Sequence, residues 1–268
     1  MAIITISRGS YSRGKEVAEK VAQKLGYDCI SRDILLDASE QFNIPEIKFL
    51  RAIHDAPSIL DRFTYGKEKY IAYIQAALLK YLRDDNMVYH GLAGHFFLNS
   101  VSHVLKVRII AALADRVRLE MEREGTGEKD ALRNLQKDDE HRRKWSRFLY
   151  GIDTWDPRLY DLVIHIKQVT VDDAVDIICH AVRLKPFQTT PRSRQDIHDL
   201  AVAAEVKAAL IELNPTVEVS AQNGKVHVKA KARSGELELA RSLEAIARGI
   251  RGVKEVEVQV LPVTRFIE

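Results

Sequence analysis

A short loop after the first apolar run carries the residues whose types and spacing point most directly to chemistry. Gly9, Gly14 and Lys15 match the first seven positions of the pattern G-x-x-x-x-G-K-[ST]. Glycine allows tight turns and a close approach of the backbone to a ligand, and the N–H groups of such a loop converge on an anion. The spacing therefore predicts a phosphate-binding loop, in which Lys15 reaches the β- and γ-phosphates of a nucleoside triphosphate. The residues expected to contact the triphosphate are Gly9, Ser10, Ser12, Arg13, Gly14, Lys15 and Glu16.

The eighth position of the pattern departs from expectation. Glu16 stands where Ser or Thr normally contacts Mg²⁺. A carboxylate at the start of a helix repels a neighbouring triphosphate unless it faces away or holds the metal. The alternative interpretation of the loop is an ordinary glycine-containing turn between a strand and a helix, with a solvated lysine.

The segments on both sides of the loop are those that a phosphate site needs. Residues 3–6 are apolar and rich in β-branched side chains, which predicts a buried strand. Val17, Val21 and Leu25 recur every four residues after the loop, which predicts a helix that ends at Gly26. The strand would bring the loop to an edge of the sheet, and the helix would point its positive N-terminal end at the anion.

Strands and helices alternate through the next 160 residues. Further strands are predicted at 27–30, 87–90, 104–111 and 162–166, and helices at 67–82, 115–124, 128–138 and 171–184, the last capped by Thr170. This alternation is typical of an α/β fold with a parallel sheet and right-handed crossovers. We therefore predict one such domain over residues 1–185.

The pattern changes after residue 185. Residues 186–195 contain two prolines among polar residues, which predicts a linker. Over residues 196–268 a helix is followed by two alternating stretches joined at Asn223-Gly224, then a second helix and a third alternating stretch. The order αββαβ predicts a small antiparallel or mixed sheet with one face covered by two helices.

Composition bounds the class of protein. The 268 residues include 41 basic and 38 acidic side chains, so no strong positive charge favours a nucleic-acid partner. Cys29 and Cys179 have no metal-binding spacing and are interpreted as reduced, buried thiols. Residues 1–3 run directly into the first strand, and no apolar run approaches the ~18 residues of a membrane span. We expect a soluble, cytoplasmic protein.

Residues 1–185 resemble the cytidylate-kinase-like family of P-loop nucleoside monophosphate kinases. The likeness is carried in order by ITISRGSYSRGKEVAEKVAQKLGY, SRDILLDAS, VYHGLAGHFFL, VLKVRIIAALADRVRLEMERE, DDEHRRKWSRFLYGIDTWDPRLYDLVI and VTVDDAVDII. The resemblance implies a three-layer αβα fold around a parallel sheet. It also implies transfer of the γ-phosphoryl group of ATP to a pyrimidine monophosphate such as CMP or dCMP, with Mg²⁺.

The resemblance also assigns roles outside the loop. Asp33 matches an acidic residue on the monophosphate side, and Asp139 and Arg142 match the D-x-x-R of the lid, whose arginines close on the phosphates. The catalytic residues would then be Lys15, Arg142 and Asp139, with Asp33 and Arg143 binding the acceptor. A guanidinium suits this work because it forks onto phosphate oxygens. The alternative for 138–150 is a solvated, salt-bridged helix.

One further stretch departs from the family pattern. The family commonly has Gly-Arg-Gly-Ala after the central strand, whereas this chain has Gly91-Leu92-Ala93-Gly94 and lacks the arginine. His90 and His95 flank that turn and are interpreted as structural. Together with Glu16, the loss supports a second hypothesis, a nucleotide-binding sensor whose kinase site has decayed.

The last ~70 residues resemble a BON domain, in EVKAALIEL, NGKVHVKAKARSGE and ARGIRGVKEVEVQVL. Such domains are associated with phospholipid or small-ligand contact. We expect an interaction or regulatory module, and membrane contact ranks below it because no basic amphipathic patch stands out. A homo-oligomer stays open.

Overall fold

Five parallel strands form the larger sheet of the protein. They are β1 (Ile3–Arg8), β2 (Asp28–Ile30), β3 (Met87–His90), β4 (Val104–Ala111) and β5 (Leu162–Ile166). Their order across the sheet is β2-β3-β1-β4-β5, and every neighbouring pair is parallel. The computed structural model describes residues 2–31, 34, 66–91, 94–232 and 234–262. The predicted parallel sheet is confirmed, with β1 at its centre because its residues are apolar on both faces.

Helices cover both faces of this sheet. They are α1 (Gly14–Leu25), α2 (Gly66–Leu82), α3 (Leu113–Glu124), α4 (Glu128–Tyr150) and α5 (Val171–Ala181). One apolar cluster joins α1 and α5 to one face, and a second joins α2 and the end of α4 to the other. The predicted αβα layering is therefore confirmed. Thr170 makes the predicted cap of α5 as a full capping box, although the helix ends at Ala181 and not at residue 184.

Helix α4 is one continuous helix of 23 residues, where the sequence pattern predicted an end near residue 138. Ala131 and Leu135 pack against α3, whereas Trp145 and Leu149 pack against the large sheet and α2. The polar residues between these apolar pairs hid the continuity, because they face the region above the phosphate loop. The helix thus spans that region, and apolar side chains near both of its ends are buried.

The C-terminal part has the predicted αββαβ order. It comprises α6 (Pro191–Leu210), β6 (Glu218–Gln222), β7 (Lys225–Ala232), α7 (Glu236–Arg248) and β8 (Glu255–Pro262). Strands β6 and β7 are antiparallel and β7 and β8 are parallel, so the small sheet is mixed. The likeness to a BON domain remains a prediction from the sequence.

The stretch predicted as a linker is partly helical. Helix α6 begins at Pro191, where Thr190 and Ser193 form a capping box, so the second half of residues 186–195 is ordered in a helix. Apolar residues of α6 and α2 belong to one buried cluster, so the segments on either side of this stretch pack together. The division into residues 1–185 and 196–268 stays a prediction.

Some sequence predictions fall on residues that the structure does not describe. Asp33, on the expected acceptor side, and Leu92, where the arginine is missing, both lie outside the described residues. Within the described ranges, none of the helices combines the length and the apolar character that a bilayer crossing requires.

Candidate functional site

The loop between β1 and α1 has the backbone shape that its glycines and small residues predict. Tyr11 and Arg13 adopt left-handed conformations, with φ of 55° and 62°. A Cβ placed on Gly14 would lie 2.5 Å from the Cβ of Arg8, so only glycine fits there. The Ser12 hydroxyl donates to the Gly9 carbonyl at 3.0 Å and closes the turn. The loop ends on the N-terminus of α1, whose first N–H groups have no partner within the helix.

Lys15 and Glu16 lie on the solvent side of the first turn of α1. The Lys15 ammonium is 3.6 Å from Glu19, and 63% of the lysine side chain is exposed. Glu16 lies 3.6 Å from Arg13 and 3.5 Å from Lys20, so two cations offset its charge. The predicted contact of Lys15 with a phosphate would require the ammonium to leave Glu19.

Arg116 holds the phosphate loop from α3. Its Nε donates to the Ser10 carbonyl at 2.7 Å, and its two Nη atoms donate to the carboxylate of Asp139 at 2.8 and 2.9 Å. This bidentate pair is largely buried, so its geometry is well defined. Asp139, a predicted catalytic residue that matches the lid motif, therefore joins α4 to the loop through Arg116.

Two more hydrogen bonds attach the loop to the helices above it. The Ser10 hydroxyl donates to Asp138 of α4 at 3.2 Å, and the Tyr11 hydroxyl donates to Glu124 at 2.8 Å. Burial, together with Glu124, raises the pKa of Tyr11 to about 12, so the phenol stays protonated near neutral pH. The loop is thus held by both α3 and α4.

Two cavities flank the phosphate loop. A smaller one of 330 Å³ lies over β4 and β5, and an open cleft of 810 Å³ extends along the loop and the first turn of α1 towards Ser31 and His90. Arg8, Ser12 and Arg142 line both, so the two cavities meet at these side chains. Arg142, a predicted catalytic residue, therefore lies at the junction of the two cavities.

Arg143, expected to bind the acceptor, is engaged elsewhere. Its Nε lies 3.0 Å and its Nη2 2.6 Å from carboxylate oxygens of Asp153, which also accepts from Arg147 at 2.7 Å. These hydrogen bonds, that of Arg143 first, hold the pKa of Asp153 well below its usual range. The Arg143 guanidinium also lies 4.8 Å from the ring centre of Trp155. Arg143 thus orders the segment after α4, including the Trp155 ring, which lines the smaller cavity.

A second arginine, Arg108, lines the smaller cavity. Arg108 of β4 donates through Nη1 to the carbonyl of Thr154 and lies 3.3 Å from the hydroxyl of Tyr160. Tyr160 in turn donates to the Thr154 carbonyl, and its oxygen lies 3.1 Å from the Ser7 hydroxyl. These partners are all uncharged. Arg108 therefore brings a positive charge into the cavity, with neutral groups holding its Nη1.

His95 packs on this polar group as an uncharged ring. Its centre lies 4.9 Å from that of Tyr160 and 4.0 Å from that of Phe96. Burial, with the nearby cations Lys106 and Arg108, lowers the pKa of His95 to about 3. The sequence interpretation of His95 as a structural residue agrees with this packing, and His90 is likewise buried at the end of β3.

Four residues of the site did not stand out in the sequence pattern: Arg8, Arg108, Arg116 and Trp155. For Arg108, the sequence did contain a signal: a positively charged residue stands within an apolar strand, at a position where a buried apolar side chain is normal. Arg8 directly precedes the loop, and its contact with Gly14 in the folded structure is what shows that it belongs to the site. Nothing local distinguishes Arg116 from Arg118, which is exposed on the same helix.

The described part of the chain contains no group of three or more metal-binding side chains. The carboxylates that line the open cleft, Glu16, Glu19, Glu122 and Asp138, are spread along it. A magnesium ion in such a site would be held by the phosphates of the substrate with one or two carboxylates, which is the usual arrangement for nucleotide kinases.

The comparisons with known proteins agree with this geometry. Residues 3–168, more than half of the chain, match the model of the cytidylate kinase-like family. Cytidylate kinases of Pyrobaculum aerophilum and Sulfolobus acidocaldarius are 24% and 26% identical over 178 and 185 residues, which are 66% and 68% of this chain and 90% and 94% of theirs.

A solved structure shows the same fold. It is an uncharacterized protein of Eubacterium ventriosum, with 23% identity and a TM-score of 0.51 over 68% of this chain and 98% of the other. The phosphate loop, the sheet order and the family match all concern the same residues. The chain therefore belongs to the cytidylate kinase-like family and is a nucleoside monophosphate kinase by class.

Proposed function

We propose that ATP is the phosphoryl donor of this kinase and that CMP or dCMP is the acceptor. The observation that carries the proposal is the meeting of the two cavities at Arg142, beside the phosphate loop. The names of the two archaeal relatives support the choice of a cytidine nucleotide. An arginine shared by two ligand sites is placed to neutralise the charge of a phosphoryl group in transit.

The side chains supply positioning and charge, which is what phosphoryl transfer requires. The loop backbone and Lys15 act on the donor phosphates, and Arg142 acts between the two ligands. Arg116 and Asp139 act indirectly, because they hold the Ser10 carbonyl and hence the loop. Mg²⁺ would supply positive charge that offsets the donor phosphates, and Glu16 and Asp138, two of the carboxylates that line the cleft, could help to hold it.

Replacing Lys15 with alanine tests the donor site. The side chain is exposed, so the melting temperature should stay unchanged. We expect ATP affinity to fall roughly 10- to 150-fold, from about 1.5–3 kcal/mol for a hydrogen bond between charged groups, and turnover to disappear. Titration calorimetry with Mg·ATP measures the affinity. Lys24→Ala is the matched control, because Lys24 is exposed on the last turn of α1 and pairs with Asp176.

An assay of ADP release across CMP, dCMP, UMP, AMP and GMP tests the acceptor. We expect turnover to depend on the acceptor and to be highest with CMP or dCMP. Equal ATP affinity in Lys15→Ala and the parent would contradict the phosphate-loop assignment, and a preference for a purine monophosphate would contradict the acceptor assignment.

The sensor hypothesis is separated by the same measurements. It predicts ATP binding that depends on Lys15, with no turnover for any acceptor. The ion pairs of Glu16 with Arg13 and Lys20 weaken its main support, because the carboxylate is engaged beside the helix and is offset by two cations.

A further inference from the structure

The open cleft ends on three adjacent strands of the large sheet. The sheet order β2-β3-β1 places the carboxyl ends of these strands side by side, and each end contributes one polar residue to the wall of the cleft. The three residues are Ser31, directly after β2, His90, the last residue of β3, and Arg8, the last residue of β1. We call them the strand-end row. Ligands of open parallel sheets bind at the carboxyl ends of the strands, so the row lies where a ligand is expected.

The pairing of β3 with β1 fixes the position of His90. Its Cα pairs with that of Ile6, and the Gly91 N–H donates to the Ile6 carbonyl at 3.3 Å. A Cβ on Gly91 would lie 2.7 Å from the Tyr89 hydroxyl, so the turn that follows His90 fits closely against that side chain. The His90 side chain lines the cleft although His90 is only 4% exposed. The ring is therefore held in place before a ligand binds, which keeps the entropic cost of binding low.

The charges around the cleft favour an anion at this end. In the part of the chain that the structure describes, the carboxylates of the cleft come from α1, α3 and α4, and the strand-end row contributes none. Serine and histidine donate hydrogen bonds through O–H and ring N–H groups, and histidine becomes a cation when it gains a proton. Arg8 adds a permanent positive charge to the row. A row of hydrogen-bond donors without a carboxylate suits a phosphate group.

From this arrangement we propose that the strand-end row binds the phosphate of the acceptor nucleotide, with the His90 ring as its central hydrogen-bond donor. The inference rests on the proposed function and identifies an acceptor contact that it leaves open. Lys15 of the phosphate loop lines the same cleft, so a phosphate on the row shares one continuous space with the ATP phosphates. In-line transfer needs this shared space, because an oxygen of the acceptor must reach the γ-phosphorus.

Substitution of His90 tests the contact by binding alone. His90→Leu keeps a side chain of similar size without a hydrogen-bond donor, and we expect the affinity for CMP to fall roughly 10-fold or more. His90→Gln keeps an N–H donor without the charge, so its loss should be smaller. Titration calorimetry with CMP and, separately, with Mg·ATP measures the two sites. The affinity for ATP should change less than about 2-fold in both variants, because the loop keeps its contacts.

Cytidine tests whether the contact is with the phosphate. It has no phosphate, so its affinity should be alike in the parent protein and in His90→Leu. UMP should follow CMP in every variant, because the two nucleotides share the phosphate and differ in the base. Ser31→Ala should weaken CMP roughly 2- to 10-fold, less than His90→Leu, because it removes one neutral hydroxyl.

His180→Leu is the matched control, because His180 is exposed in the last turn of α5. The affinities for CMP and ATP should both stay at the parent values in this variant. Melting curves show whether each variant is folded. His90→Gln retains a polar side chain at the end of β3 and carries the test if His90→Leu does not fold.

Three results would overturn the proposal. A loss of ATP affinity in the His90 variants, with CMP affinity unchanged, would assign the strand-end row to the ATP phosphates. An equal loss for cytidine and CMP would place the nucleoside, and not the phosphate, against His90. Parent-like affinities for every ligand in both His90 variants would leave His90 as a structural residue.

The design distinguishes this proposal from the function on which it rests. CMP turnover with a parent-like KM in His90→Leu would keep the kinase function and reject this phosphate site. A loss of affinity for CMP and not for cytidine, in a protein without turnover, would keep the phosphate site and reject the transfer activity. If the acceptor assay prefers another monophosphate, that nucleotide and its nucleoside replace CMP and cytidine, because the row contacts only the phosphate.

Discussion

Replacing Asp139 with alanine removes the carboxylate that receives both Nη atoms of Arg116. The arginine side chain is 10% exposed and the aspartate 20%, so the substitution leaves a cation in a poorly hydrated position. Breaking a buried pair by removing one partner costs about 3–5 kcal/mol. Because water reaches part of Asp139 and Arg116 keeps its bond to Ser10, we expect a loss of about 2–4 kcal/mol in the free energy of unfolding.

Calorimetric unfolding near neutral pH measures this loss. At roughly 2–4 °C per kcal/mol for a chain of this size, the melting temperature should fall by about 4–16 °C. The loss should persist at ~1 M salt, because a buried pair is screened much less than an exposed one. ATP affinity should also fall, since Arg116 holds the loop carbonyl of Ser10.

Glu140→Ala is the matched control, because Glu140 is the next residue of α4 and pairs with Lys144 in an exposed i,i+4 arrangement. Its melting temperature should change by less than about 2 °C, and salt should reduce even that effect. If Asp139→Ala melts like the parent or like Glu140→Ala, the pair does not hold the loop and the reasoning from its burial is wrong.

Two further predictions concern the junction with the C-terminal part. Burial by itself raises the pKa of Asp85, but hydrogen bonds from His103 and Thr189 outweigh it and hold that pKa below its usual value. The stabilisation that the Asp85 carboxylate gives the folded protein is therefore present above the usual carboxyl pKa of ~4, and it is lost as pH falls through the lowered pKa. Asp85→Asn should lower the melting temperature at neutral pH and should make the melting temperature depend less on pH in the acid range. A chain that ends at residue 185 should expose the apolar side of α2 that α6 covers. It should therefore self-associate, as measured by light scattering, or melt at a lower temperature than the full chain. A monomeric fragment that melts like the full chain would contradict the shared cluster.

Local periodicity was sufficient for the elements of the sheet. Residues 87–90, 104–111 and 162–166 were predicted as strands with the bounds that the structure has, because each is an apolar run between turn residues. Helix α4 was predicted too short, since its middle carries polar residues that face the site and interrupt the apolar spacing. The start of α6 was missed because proline and polar residues are as typical of a first helical turn as of a linker.

The amino-acid sequence by itself determined the phosphate loop, because its chemistry depends on a backbone shape that seven neighbouring residues specify. The tertiary structure alone decided which cations surround that loop. Arg116 reaches the Ser10 carbonyl across 106 positions of the chain, and Arg108 meets Thr154 across 46. A charged side chain looks alike in sequence whether it is solvated or lines a cavity, and only the packing of strands and helices distinguishes the two, because burial and the choice of partner depend on contacts between distant segments.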